Sequence, residues 1–172
     1  MFDQFVAEIS ATNNQSLTVL ELGSGPGVLA EQILSRCPVE RYWLVDFSPQ
    51  MHELAHERLG DDDRTIYVQA DFKDPSWTET ISERVHVVVT MQALHELRHS
   101  TRTRFLYRQL ADVAEPGGLL CVCDHLRQPG DERPLYMSIE EHLIALKDGG
   151  TIDRSMVLTC DQLGLFRARF PG

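Results

Sequence analysis

Near its start the chain reads Val19-Leu20-Glu21-Leu22-Gly23-Ser24-Gly25-Pro26-Gly27, an acid and three glycines where a strand gives way to a helix. Glycines spaced G-x-G-x-G let the backbone turn sharply and let a ligand touch the main chain, because no Cβ intervenes. A dinucleotide loop is spaced G-x-G-x-x-G, with a phosphate on the helix N-terminus. Here Val28 stands where that third glycine belongs. His52-Glu53-Leu54-Ala55-His56 and His95-Glu96-Leu97-Arg98-His99 both match H-E-x-x-H. On a helix that spacing turns two imidazoles toward one zinc ion, with the glutamate beside them as base. Asp124-His125 adds another imidazole, whose ordinary pKa near neutrality suits proton transfer.

These residues need elements to position them. Apolar runs and breakers alternate strand with helix, the pattern of a parallel sheet covered on both faces. A helix over residues 2–11 leads to a strand at 17–22, the glycine loop and a helix ending at Arg36. Further strands are expected at 41–46, 65–70, 85–90 and 119–124. The run at 85–90 is β-branched apart from His86, as in a strand buried on both faces. Helices are expected from Pro49 to Leu59, over 75–84, over 101–114 and over 138–147. Glu115-Pro116-Gly117-Gly118 reads as the turn into the fifth strand. The runs at 152–159 and 163–170 are joined by a short turn and should pair as an antiparallel hairpin. No linker, repeat or low-complexity segment marks a second domain, so residues 1–172 are expected to form one domain.

Composition sets limits. At 172 residues, 42% hydrophobic and 24% charged, the chain can bury a single core. A net charge of −10 opposes a sequence-independent grip on nucleic acid. No apolar run reaches the ~18–20 residues that span a bilayer, so no membrane partner is expected. Asp3 and Glu8 without a basic flank are unlike a secretory signal. The Asn14-Gln15-Ser16 sequon is then a chance match. Cys37, Cys121, Cys123 and Cys160 are too few and scattered for a disulfide scaffold, and Cys121 and Cys123 should share one face of a strand as core residues. A cytoplasmic protein is the expectation.

The block Val19–Gly27, followed by acids at successive strand ends, resembles the first motifs of class I methyltransferases that use S-adenosylmethionine (SAM). The resemblance covers nearly the whole chain. It implies an α/β, Rossmann-like three-layer sandwich with a seven-stranded, mostly parallel sheet ordered 3-2-1-4-5-7-6 and strand 7 antiparallel. It also implies SAM as cofactor and a small-molecule methyl acceptor. In such a fold, ligands sit at the carboxyl ends of the strands beside the switch point between strands 1 and 4. Glu21 with Gly23, Ser24, Gly25 and Gly27 would hold the methionine end, Glu21 meeting its ammonium directly or through water. Asp46, closing strand 2, would accept from both ribose hydroxyls. Asp71 would accept from the adenine amino group, Phe72 offering its N–H and an apolar face, and Phe47 would pack on the ring. Thr90, Met91 and Gln92 would lie against the sulfonium. Gln92-Ala93-Leu94-His95 resembles the segment that lines the acceptor pocket, making His95 the first candidate for a general base and Asp124-His125 the second.

Competing readings remain on these residues. A nicotinamide dehydrogenase would also use Asp46, about 20 residues past the loop, whereas Glu21 and the glycine spacing favour SAM. The first H-E-x-x-H lies on a helix whose apolar face (Met51, Leu54, Ala55, Leu59) should pack on the sheet and leave the histidines in solvent. Gly60 falls one residue late for the extended zinc motif and no third histidine follows, so no metal is expected. Only about sixteen residues precede strand 1, a shortened N-terminal cap. That leaves an open site for a bulky acceptor, a site completed by a partner subunit such as a second copy in a homodimer, or a SAM-binding module without catalysis. Residues 126–137, with Arg133, Pro134 and Tyr136, read as a lid or a plain connection.

Overall fold

The structure, a computed structural model, describes residues 1–12, 16–98, 100–130 and 135–172. Asn14 and Gln15 of the sequon, His99 of the second histidine motif, and Arg133 and Pro134 lie outside the described residues. Seven strands form one sheet: β1 (Leu17–Leu22), β2 (Val39–Asp46), β3 (Thr65–Gln69), β4 (Val85–Met91), β5 (Ala114–His125), β6 (Ile152–Cys160) and β7 (Leu163–Arg169). Their order is β3-β2-β1-β4-β5-β7-β6, and β7 runs antiparallel to both its neighbours. Among the described residues, five α-helices cover the faces: α1 (Phe2–Ser10), α2 (Val28–Arg36), α3 (Pro49–Leu59), α4 (Ser100–Val113) and α5 (Ile139–Asp148). This is the expected fold class, strand order included.

Central strands carry apolar residues at successive positions because both their faces are covered. Every residue of β1 is buried. One core contains Leu20, Leu22, Val88, Leu120 and Tyr107, and the other contains Val19, Ile33, Tyr42, Val87 and Cys121. Cys121 and Cys123 share the second core, and burial pushes the Cys123 thiol up to about 12, far from thiolate chemistry. Among the described residues no helix is long and apolar enough to cross a membrane.

Three local expectations are corrected. The helix over 75–84 shrinks to a 3-10 turn, Pro75–Thr80. Thr78 and Thr80 turn their hydroxyls back onto the carbonyls of Pro75 and Trp77, a local alternative to continued helix. Trp77 anchors the turn, buried, with Nε1–H donating to Gln109 Oε1 at 3.2 Å. The turn at 115–118 is instead an irregularity within β5: Ala114 already pairs with Val85, and Gly117 at φ +75° carries the bulge before Leu119 resumes the ladder opposite Val87. Leu54 does not join the sheet-facing side of α3 and is 45% exposed, leaving Ala55 as the buried residue of that helix.

Candidate cofactor crevice and histidine dyad

Strands β1 and β4 lie side by side, and the chains leaving them diverge into a crevice of about 490 Å3. That volume lies within the range of small-molecule sites, roughly 300–1,000 Å3. Its walls bring together Glu21, Gly23, Ser24, Gly25, Asp46, Phe47, Asp71, Phe72, Met91 and Gln92, most of the residues expected from sequence. Gly27 and Thr90 are not among them. Gly27 is the N-cap of α2 at φ +74°, where a Cβ would stand 3.2 Å from Ala55 Cβ; it lets α2 approach α3 rather than meeting a ligand. Thr90 is fully buried in the sheet between Leu22 and Val122.

Asp46 is 6% exposed and organises the loop. Its Oδ2 accepts from the Gly25 N–H and its Oδ1 from the Ser48 N–H, both at 2.9 Å. Ser48, not Asp46, caps α3. The carboxylate thus closes strand, loop and helix around the crevice while each oxygen keeps lone-pair capacity for a further donor. Glu21 is 2% exposed, and its Oε2 accepts from the Tyr42 hydroxyl at 2.7 Å. Burial, opposed by the Tyr42 bond and reinforced by the nearby Asp46 charge, pushes its carboxyl up to about 8. Asp71 is exposed at the rim and accepts from the Lys73 N–H at 2.9 Å. Phe47 is 63% exposed on the crevice wall, which separates it from the core. Gly23, at φ +65°, lets the β1 loop reach the β4 loop, since a Cβ there would fall 2.4 Å from Ala93 Cβ. Four carboxyl groups, Glu96 included, and an exposed phenyl ring around one cleft are a set of acceptors suited to a ligand with hydroxyls, a planar ring and positive charge. The residues present fit SAM.

Sequence reasoning missed several wall residues: Phe2 from α1, Ser48 capping α3, Met51 from α3, and Glu96. It also missed Tyr42. The alternation of β2 does not reveal that this tyrosine turns its hydroxyl to Glu21, because two-sided burial removes the period-2 signal.

His95 stands beside the crevice rather than in it. It lines a small neighbouring cavity of about 20 Å3 with Asp124, His125, Tyr136 and His142. Asp124, 2% exposed, fixes it twice: the His95 N–H donates to Oδ2 at 2.9 Å and the ring Nδ1–H to Oδ1 at 2.8 Å. Oδ1 also accepts from the His125 N–H at 2.7 Å. With three donors on it, Asp124 orients its neighbours. The Asp124 hydrogen bond raises the His95 pKa above its ordinary 6.5, against the opposing effect of burial. With Nδ1 committed, Nε2 carries the free lone pair, and it lies 3.7 Å from Oε1 of Glu96, a crevice residue. The His125 ring lies tilted against Tyr136, centroids 4.9 Å apart. His142 on α5, which sequence reasoning did not single out, is 1% exposed and stacks on Phe166.

Of the first H-E-x-x-H pair, His56 is exposed as expected and His52 is not. His52 is half-buried, its Nε2–H shared between the carbonyls of Asp46 and Val68 at 3.2 Å each. His56 stacks on Tyr67 with centroids 4.6 Å apart. The His52 imidazole ties the ends of β2 and β3 together, and its Nε2 has no lone pair left for a metal.

The family model for the methyltransferase domain matches residues 19–118, more than half of the chain. Malonyl-[acyl-carrier protein] O-methyltransferase 1 of Ilyobacter polytropus is 34% identical over 62 residues, 36% of this chain and 23% of that protein. The N-methyltransferase NodS of Bradyrhizobium japonicum superposes with a TM-score of 0.77 at 18% identity, covering 99% of this chain and 97% of that one. Human N-acetylserotonin methyltransferase, solved in complex with SAM, gives 0.76 at 15% identity over 99% of this chain and 52% of that one. The chain spans about a quarter of the curated relative and about half of some of the solved enzymes. With the family model and the strand order in agreement, the chain belongs to the class I, SAM-dependent methyltransferase domains, and SAM is its cofactor.

Proposed function

We propose that this chain acts as one domain that transfers the methyl group of SAM to a small-molecule acceptor, with His95 as general base. Bound SAM supplies a methyl carbon on a sulfonium: an acceptor lone pair forms the new bond in line as the C–S bond breaks. The chain's tasks are to hold the cofactor, align the acceptor and take its proton. Glu21, Asp46 and Asp71 face the cationic, hydroxyl-bearing ligand, and the glycine loop, with no Cβ at Gly23 and Gly25, lets it lie close to the main chain. Positioning of this kind contributes several kcal/mol to the rate, on the order of ~7 or more at its best. A hydroxyl acceptor gives its proton to Nε2 of His95, while Asp124 holds the ring in the tautomer that leaves Nε2 open and stabilises the imidazolium formed.

The observation that carries this reading is the meeting of three strand-end carboxyls in one crevice, with an oriented imidazole beside it. The four cysteines, all unpaired and three of them buried, suit a reducing compartment, and we place the reaction in the cytoplasm. The test is His95→Ala. Turnover falls ~10²–10⁴-fold, the usual contribution of a general base, while SAM affinity stays within twofold. Asp124→Asn moves the acidic limb of the pH–rate profile downward, because the partner that raised His95 is weakened. A normal rate in His95→Ala, or loss of SAM binding alone, contradicts the assignment.

A further inference from the structure

Beyond the crevice wall, Phe72 and Lys73 turn their other side to a second groove of about 270 Å3. Its remaining lining comes from Leu97 and from one face of α4: Arg102, Phe105, Leu106 and Gln109. The chemistry inverts that of the cofactor crevice. There the charged walls are mostly carboxyls; here every charged residue is a cation, in a chain of net charge −10. Among the described residues, neither Lys73 nor Arg102 has a carboxylate within ion-pair distance. Arg102 makes one long bond, from Nη1–H to the Leu97 carbonyl at 3.5 Å, which leaves most of its guanidinium fork free.

Gln109 adds the buried member. It is 7% exposed, yet lines the groove. Its Oε1 is occupied by the Trp77 N–H, which orients the amide, and its NH2 makes no bond among the described residues. Phe105, 54% exposed on the second turn of α4, is an apolar wall with nothing packed over it. A guanidinium, an ammonium and an amide N–H over a floor of phenyl and leucine side chains are the complement of one anionic head on an apolar body.

We propose that this groove is a ligand subsite that holds the carboxylate of an apolar acid. The proposal stands independently of the methyltransferase reading. A carboxylate suits the donors better than a phosphate dianion: planar and singly charged, it matches one Arg fork, with the amide or ammonium taking the remaining lone pair. Carboxyls predominate on one side of Phe72 and cations line the other, so that a cationic cofactor and an anionic ligand are each drawn to their own pocket.

The test uses the full chain saturated with S-adenosylhomocysteine (SAH) and titrated, by calorimetry and by ligand-observed NMR, with hexanoate, hexanamide, hexylammonium and hexyl phosphate. Hexanoate binds at least tenfold more tightly than the amide and the amine, and Arg102→Gln weakens it roughly tenfold, as expected for loss of a charge-assisted pair. Gln109→Glu keeps an acceptor for Trp77 but replaces the NH2 donor with a carboxyl, so it too weakens hexanoate and reverses the preference toward hexylammonium. SAH affinity stays unchanged in both variants. Equal binding of all four probes, or hexanoate binding indifferent to both substitutions, overturns the proposal. Tighter hexyl phosphate than hexanoate overturns the choice of carboxylate. Failure of the wild-type chain to bind SAH at all strikes the methyltransferase reading and leaves the groove's anion preference to be judged by the same titrations.

Discussion

A carboxyl group that is 2% exposed, with a phenol as its hydrogen-bond partner, does not titrate as it does in water. Glu21 stays protonated up to about pH 8, whereas in the unfolded chain it ionises near 4.5. Between those values the folded protein holds a proton that the unfolded chain has released, so raising the pH favours unfolding. The limit for one group is about 1.4 kcal/mol per pH unit. His95, whose pKa is raised, pulls in the same direction, since its contribution fades as pH rises through its folded value. Comparison of wild type with Glu21→Gln therefore isolates Glu21. Urea midpoints measured from pH 5 to 8 should fall more steeply for wild type than for the variant, and parallel curves would contradict the account. A cationic cofactor reverses the preference, because it favours the ionised carboxylate.

At the scale of elements, the glycine loop does two jobs that its motif alone does not separate. Gly23 and Gly25 line the crevice, and Gly27 sets the packing of α2 against α3. Gly27→Ala puts an L residue at φ +74°, at a cost of about 1–2 kcal/mol, and sets its methyl against Ala55. The urea midpoint should drop accordingly while SAH still binds; lost binding with full stability would return Gly27 to the cofactor site. Strands were legible in the sequence because apolar runs and breakers recur at regular intervals, whereas their order was implied by the family resemblance that the glycine loop and strand-end acids carry. The 3-10 turn at Pro75–Thr80 was not, because hydroxyl back-bonding and one buried tryptophan decide it, and neither has a periodic signature. The bulge before Leu119 was read as a turn because Pro116-Gly117-Gly118 has turn composition, while its pairing with β4 is tertiary.

On the scale of the whole molecule, the switch point between β1 and β4 gathers groups far apart in sequence. Glu21, Asp46 and Asp71 were readable as strand-end acids, and the structure places all three on one crevice. Tyr42 behind Glu21 and Gln109 in the second groove were not readable, because each acquires its meaning from a contact across the fold. His95 was readable as a candidate base, but its partner was not: Asp124, expected as part of an alternative base, is the group that orients it. The most direct measurement is a crystal of the protein soaked with SAH. The account predicts the nucleoside in the crevice, its ribose hydroxyls on Asp46 and its adenine beside Asp71 and Phe72. SAH bound elsewhere, or a crevice left empty at saturating ligand, would contradict it.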